Sequence, residues 1–388
     1  MSVNERKRIV IKVGSGLLVS EEDLNVRYAF LFGLLEDIAA LRREGHQVVL
    51  VSSGAAAVGL KAMGVDPREA GVADKQAAAA CGQPLLMAAY KAVSSEFGLE
   101  IAQVLLTSDD MENRRRFLNT KNTLDRLLER GLLPIVNEND TVTTEEIRVG
   151  DNDRLAAKVA QMIQAGAFVM LTGVEGLYDR NPDDEGARFV ETVEDVSVYI
   201  DATKSKSTLG SGGMLTKMLA ANMAQNGGVE TYIASGIMER PVSSVLKKER
   251  RHTRCAAVGD PESAWRVWLA DRLNMAGSLI LTQDAADAVR RGERGVRAGD
   301  IHAVNGEWVK GDVLHVYDEA GEECARGLTN YASNEVVMLA REAGQTVEEV
   351  LGYHTKADVI DKANLVILAE HHLTWDAPEE EDALQIAS

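Results

Sequence analysis

Five short stretches of this 388-residue chain carry residue types suited to binding anions or amines rather than filling a core. Lys12 is followed by Gly14 and Gly16, which sets an ammonium group beside backbone N–H donors that a ligand can approach closely. Ser52, Ser53 and Gly54 precede an alanine run, the pattern of a helix start with a hydroxyl beside it. A carboxylate or phosphate suits such a place, and an N-cap serine explains the same residues. The third stretch is the densest: Asn137, Glu138, Asn139 and Asp140, then Asp151, Asn152 and Asp153 ahead of an apolar helical pattern. Helix capping explains one or two of these residues but not the set, which suits a cation or an ammonium group. Thr172 and Gly173, with Gly176 and Tyr178 close behind, suit a nucleotide's base or ribose. Last come Ser211, Gly212, Gly213, Met214, Leu215, Thr216 and Lys217, a glycine loop expected to enter a helix with Thr216 and Lys217 in its first turn. A lysine there opposes the helix dipole unless an anion is present, which points to a polyphosphate cradle.

Two lysines for phosphates and a carboxylate–amide cluster for an amine or Mg²⁺ make an inventory for phosphoryl transfer. That chemistry depends on positioning and charge neutralisation more than on a covalent intermediate. No histidine or cysteine falls in the five stretches. If the acceptor is a carboxylate, with a reference pKa of about 4.3, it is already ionised at neutral pH and needs no general base. Neither a GxxxxGK[ST] phosphate loop nor a GxSxG hydrolase elbow occurs.

The elements that must position these residues are legible as alternating patterns. Residues 9–13, 48–52, 101–106, 133–137, 168–172 and 231–234 read as buried strands, and 30–43, 73–97, 116–130 and 155–165 as helices. In the last helix Leu155, Val159, Met162 and Ile163 share one face. Near-continuous apolar strands alternating with helices predict an α/β fold, a parallel sheet covered on both faces. Ligands of such sheets bind beyond the carboxyl ends of the strands, and the five stretches fall at or just after predicted strand ends or helix starts. The pattern changes near residue 250, at a charged run over 247–251 and a break at Asp260 and Pro261. A short helix over 264–273 and strands over 278–281, 301–304 and 313–317, separated by glycine turns, follow. The predicted division is a catalytic domain over 1–258, a linker over 259–276, a small β-rich domain over 277–357 and an extension over 358–388. Its acidic tail, 378–382, reads as disordered.

Lys and Arg number 42 against 60 Asp and Glu, a formal net charge of −18. That balance argues against a general nucleic-acid coat or a polybasic membrane anchor. The widely spaced Cys81, Cys255 and Cys324 form neither a disulfide framework nor a zinc knuckle, as expected of a reducing compartment. No apolar run approaches the ~20 residues of a membrane span, and the expected location is the cytoplasm.

Taken in order, these stretches resemble the bacterial glutamate 5-kinase family over residues 8–357. The resemblance is carried by residues 135–140 (Ile-Val-Asn-Glu-Asn-Asp), 149–153 (Val-Gly-Asp-Asn-Asp), 176–178 (Gly-Leu-Tyr) and 212–217 (Gly-Gly-Met-Leu-Thr-Lys). Lys75 with Gln76, Gly82 with Gln83, and Asp110, Met111, Glu112 and Arg114 support it. The resemblance implies an αβα sandwich around a mostly parallel sheet, the amino-acid-kinase fold, with a small C-terminal β-barrel-like PUA domain. It implies ATP, with Mg²⁺ carried mainly by its phosphates and no metal ligands assigned. The acceptor is the side-chain carboxylate of L-glutamate, in the first step of proline biosynthesis. By the same resemblance Lys12 and Lys217 stabilise the transferred phosphoryl group, and Asp151 and Asp153 organise the lysines and Mg²⁺. Ser53, Gly54, Asn137, Asp140 and Asn152 bind glutamate. Lys12, Gly14 through its N–H, Thr172, Gly173 and Ser211, Gly212, Gly213, Met214, Leu215, Thr216 and Lys217 bind the nucleotide. Proline as a competing inhibitor, glutamyl-phosphate reductase as recipient of a labile acyl phosphate, and a homo-oligomer are implied as well; nucleic acid and membrane are not.

The PUA resemblance rests on Gly295, Gly299, Asp300, Gly306, Lys310, Gly311, Asp312, Arg326, Gly327 and Tyr331. PUA domains elsewhere bind RNA, but the acidity of this chain favours a structural or regulatory role. Gly173 stands where the family usually has Asp, so that polar contact near the nucleotide is either missing or supplied by Glu175. Sibling kinases of N-acetylglutamate, aspartate, carbamate or a uridine nucleotide are the nearest alternatives. An acetylated substrate lacks the ammonium that the cluster at 137–140 would meet, and no ACT-type repeat of an aspartate kinase is found. An RNA-binding regulator with a lapsed kinase sheet is disfavoured by the retention of Lys12, Asp151, Asp153 and Lys217.

Overall fold

The computed structural model describes residues 7–112, 114–142, 151–180, 184–205, 211–237, 239–259, 275–353, 357–368 and 384–385, with the backbone alone for a few, Asp151 and Ser211 among them. The chain divides into two units, Met1–Ala264 and Trp265–Ser388.

In the first unit most of the apolar runs become strands buried on both faces, where β-branched side chains pack well. The run 101–106, expected to be buried, is only partly covered because it forms an edge of the sheet. β1 (Arg8–Val13), β2 (Gln47–Val51), β3 (Ile101–Leu106), β4 (Leu133–Glu138) and β5 (Ala167–Thr172) join the short β8 (Thr192–Val193), β9 (Thr231–Ser235) and β10 (Thr253–Cys255). β6 (Leu177–Tyr178) and β7 (Phe189–Val190) form a separate hairpin. Among the described residues the main sheet has the order β3-β4-β2-β1-β5-β9-β10-β8. The six strands from β3 to β9 in that order are parallel, whereas β10 runs antiparallel to β9.

Alternate strand residues face opposite layers. Ile9 and Ile11, with Val48, Leu50 and Ile135, pack under α2 (Tyr28–Arg43), α3 (Ala55–Met63) and α4 (Val72–Glu96), through Leu31, Leu35, Ile38, Val58, Leu86 and Tyr90. α7 (Asp151–Met162) and α9 (Ser211–Asn226) belong to the other layer: α7 packs on β1, β2, β4 and β5, and α9 packs on α7 and β9. The first unit is therefore a layered αβα sandwich. α3 and α4 approach closely because Gly59 and Gly82 lie where they cross; a Cβ on either would sit inside the backbone of the facing helix, at the carbonyls of Ala78 and Ala55 respectively. No helix among the described residues is long and apolar enough to cross a membrane.

The structure differs from the sequence expectation at one element that carries chemistry. α9 begins at Ser211, so the two glycines lie inside the helix and Thr216 and Lys217 in its second turn, not its first. Low glycine propensity made Gly212 and Gly213 read as a loop, and packing against α7 overrides it.

The second unit has its own core, with Leu279, Leu281, Val304, Trp308, Leu314, Val316 and Tyr331 buried together. β11 (Gly277–Leu281), β13 (Ile301–Asn305), β14 (Val313–Tyr317), β15 (Glu323–Leu328) and β17 (Leu365–Ile367) form most of its larger sheet, and β12 (Val296–Arg297) pairs with β16 (Asp358–Ile360). The Trp308 indole N–H donates to the Tyr331 carbonyl at 3.2 Å, which ties the segment before β14 to the one after β15. Helices at Gln283–Arg290, Ser333–Arg341 and Val347–Leu351 add to the strands expected there. The helix expected over 264–273 and the acidic tail over 378–382 lie outside the described residues.

Candidate active site

The carboxyl ends of β1, β2, β4 and β5 open onto one cavity of about 610 Å³. Lys12, Gly14, Ser53, Gly54, Asn137, Asp140, Asn152, Asp153, Thr172, Gly173 and Lys217 all line it. Residues up to 205 positions apart in sequence therefore share one space: Lys12, Ser53, Asn137, Asp140 and Thr172 end or follow strands of the sheet, and Asn152, Asp153 and Lys217 come from the first two turns of α7 and α9.

Lys12 is the penultimate residue of β1, where Ile11 and Val13 turn into the helix-covered core and Lys12 takes the opposite face. Its ammonium lies 2.7 Å from Oδ1 of Asp153, and both groups are buried. The other carboxylate oxygen, Oδ2, is 3.4 Å from Nζ of Lys217 and accepts a hydrogen bond from the Thr216 hydroxyl at 3.1 Å. Lys217 also donates to the Gly213 carbonyl one helical turn earlier, at 3.2 Å. Burial holds the pKa of Lys12 below the usual lysine value; Asp153 opposes that shift and the charge on Lys217 reinforces it. Two cations share one anion here, so the cluster keeps a net positive charge for an incoming phosphate.

On the β2–β4 side, side-chain amides form a chain. Asn152 Nδ2 donates to Ser53 Oγ and to Asn137 Oδ1, each at 3.1 Å. Asn137 Nδ2 in turn donates to Gln83 Oε1 at 2.9 Å. Gln83 reaches Asn137 because its neighbour Gly82 lets α4 lie against α3. Asn152 Oδ1 is buried with no hydrogen-bond partner among the described residues, an acceptor suited to a donor on a ligand. Gly54 caps α3 with a φ of 94°, and a Cβ there would come within 2.8 Å of Val19 Cγ2, so glycine is required at this wall. Ser52 lies beside it but bonds Tyr90 OH at 2.9 Å; of these two serines, Ser53 lines the cavity. Glu138 and Asp140 add carboxylates to the same wall.

Three expectations need correction. The Gly14 N–H already donates to the Leu171 carbonyl at 3.3 Å, continuing the β1–β5 ladder, and is not an open phosphate donor. Ser15 and Gly16 start α1 (Ser15–Leu18) on the cavity wall, and their N–H groups have no carbonyl four residues back within that helix and no backbone partner among the described residues. Glu175 does not stand in for an aspartate at 173: it lies outside the cavity lining, 3.3 Å from Arg251 Nη1 and 3.4 Å from Tyr178 OH. Gly213, Met214, Leu215 and Thr216 are half-buried in α9 and, apart from the link of Thr216 to Asp153, do not reach the cavity lining. The side chains of Asp151 and Ser211 fall outside the described ones, as does Gly212 beyond its backbone.

The cavity also takes in residues with no role assigned from the sequence: Ser15, Glu21, Arg27, Lys75 and Ile237. Lys75 was visible only as part of a motif. Arg27 and Glu21 lie in a stretch with no distinguishing pattern.

Residues 7–235 match the amino acid kinase family, and residues 277–351 match the PUA domain. A glutamate 5-kinase of Geobacter sp. (strain M21) is 40% identical over 365 residues, 93% of this chain and 98% of that protein. A glutamate 5-kinase of Chromobacterium violaceum is 41% identical over 372 residues, 94% of this chain and 99% of that protein. One of Laribacter hongkongensis is 42% identical over 369 residues, with 94% and 99% covered.

Proposed function

The chain belongs to the amino acid kinase family, among its glutamate 5-kinases, and from that premise we infer that the cavity is where ATP and L-glutamate meet. The reaction passes the γ-phosphoryl group of ATP to the side-chain carboxylate of glutamate, giving ADP and glutamyl 5-phosphate, the first step of proline biosynthesis.

The observation that carries the assignment of roles is the pair of lysines on Asp153. Lys12 and Lys217 neutralise charge on the phosphoryl group as it moves, and Asp153 keeps both ammonium groups at one place before substrate arrives, so little reorganisation is needed during transfer. The Lys12 ammonium is buried, where its charge is screened less than it would be in water. Ser53, Asn137 and Asn152 fix the acceptor end through their amide chain, with Asn152 Oδ1 free to accept from the substrate ammonium. Asp140 supplies a negative charge for the same ammonium. Thr172, Gly173, Ser15 and Gly16 form the nucleotide end. The attacking carboxylate is ionised at neutral pH, so no histidine is required.

Asp153 is already shared by two lysines. Mg²⁺ brought in on the triphosphate would supply further charge neutralisation there. The acyl phosphate product hydrolyses readily, which favours prompt hand-over to a reductase. Proline, with an α-carboxylate and an amine like those of glutamate, fits the same end as an inhibitor. A homo-oligomer in the cytoplasm, with the PUA domain in a structural or regulatory role, completes the reading. The test is ADP release with MgATP against glutamate, N-acetylglutamate, aspartate and carbamate, with hydroxamate trapping of the product. Release and trapping with glutamate alone is the expected result; release only with another acceptor overturns the assignment.

A further inference from the structure

Lys75 is a third ammonium group on the wall of this cavity. It is the fourth residue of α4 and half-buried. Lys12 and Lys217 are both paired with Asp153, whereas the Lys75 side chain has no hydrogen-bond or carboxylate partner among the described residues. A cation held on a cavity wall without a counter-charge is suited to an anionic ligand group.

We propose that Lys75 binds the α-carboxylate of the amino acid substrate and so selects a free amino acid over one whose α-carboxyl is capped as an amide. This rests on the assignment of the cavity to glutamate phosphorylation. Glutamate brings two carboxylates and one ammonium. The reacting carboxylate belongs beside Lys12 and Lys217, which leaves an ammonium and a carboxylate to be matched at the other end. Asp140 and the free Asn152 Oδ1 meet the ammonium. The remaining need is one cation.

Two cations line the cavity besides the catalytic pair, Lys75 and Arg27. Arg27 is solvent-exposed and, with Leu17 and Ile237, also borders a neighbouring cavity of about 340 Å³ that includes Gly236 and Pro241, just after β9. In the sheet, β9 is separated from β4, the strand leading to Asp140, by β2, β1 and β5. Lys75 instead belongs to the helix whose Gln83 holds Asn137 at the end of β4. The chemistry and the placement both select Lys75.

The test compares the full-length wild type with Lys75→Met in steady-state kinetics, using glutamate and its α-amide, isoglutamine. Removing one charge-assisted contact is expected to raise KM for glutamate by about 10- to 100-fold, with kcat and KM for ATP little changed. Wild type should prefer glutamate to isoglutamine, and Lys75→Met should lose most of that preference, with Lys75→Arg restoring part of it. If Lys75→Met does not fold, Lys75→Gln, closer in shape, carries the same comparison. An unchanged KM for glutamate, or a raised KM with the preference over isoglutamine intact, overturns the proposal. A wild type inactive on glutamate would instead overturn the reaction assignment itself.

Discussion

Asp153 holds Lys12 and Lys217 with its two carboxylate oxygens, Oδ1 at 2.7 Å from one ammonium and Oδ2 at 3.4 Å from the other. One residue of α7 thereby joins a lysine of β1 to a lysine of α9, 205 positions later. Without the carboxylate the two cations would repel each other in a buried place, and each would have reason to turn away or lose its proton. Asp153→Asn should lower kcat by about 100-fold or more and reduce the melting temperature, both read on the purified full-length chain. Turnover close to wild type would remove Asp153 from its organising role.

The depressed pKa of Lys12 has a kinetic consequence. Burial disfavours the charged form, so as pH rises the Lys12 proton is lost below the ordinary lysine value of 10.5. At saturating glutamate, kcat/KM for ATP, which reports the enzyme before ATP binds, should therefore fall on the alkaline side earlier than an ordinary lysine would dictate. Lys12→Arg keeps its charge throughout that range, and its remaining activity should lack this limb. The same limb in both proteins would assign the titration to another group.

Asp140 sits on the cavity wall just after β4, on the side of the Asn152–Asn137 amide chain. Asp140→Ala should raise KM for glutamate about tenfold or more while leaving KM for ATP near its wild-type value. The reverse pattern would move Asp140 to the nucleotide end.

Gly82 lies where α4 meets α3, and a Cβ there would press into the Ala55 carbonyl, which is backbone and cannot swing aside. Gly82→Ala should cost at least about 1–3 kcal/mol of stability, seen as a lower urea midpoint. Because Gln83 holds Asn137, any folded fraction should also bind glutamate more weakly. An unchanged midpoint would contradict the close helix crossing.

Much of this site was legible because a parallel sheet writes its strands as apolar runs and places its chemistry just beyond them. Lys12, Ser53, Asn137, Asp140 and Thr172 are legible that way, Asn152, Asp153 and Lys217 at helix starts, and one cavity collects them all. What the sequence hid depends on pairing between distant segments. The Gly14 N–H looked available because its acceptor, the Leu171 carbonyl, lies in a strand 157 positions later. The start of α9 was misplaced because two glycines argue locally for a loop, while packing on α7 holds them in a helix. β8 and β10 are too short to show any period. The place of Lys75 depends on how α4 lies on α3, through glycines whose purpose appears only when the helices touch.

The claim on which the rest depends is that Lys12 and Lys217 act on one phosphoryl group. A double-mutant cycle on kcat, with Lys12→Ala, Lys217→Ala and the pair, tests it most directly, using hydroxamate trapping as the readout. Each single change should cost about 100- to 1,000-fold, and the double variant should be little worse than the poorer single one, because groups that act as a unit are not additive. Losses that multiply in full, as for two independent sites, would contradict the account.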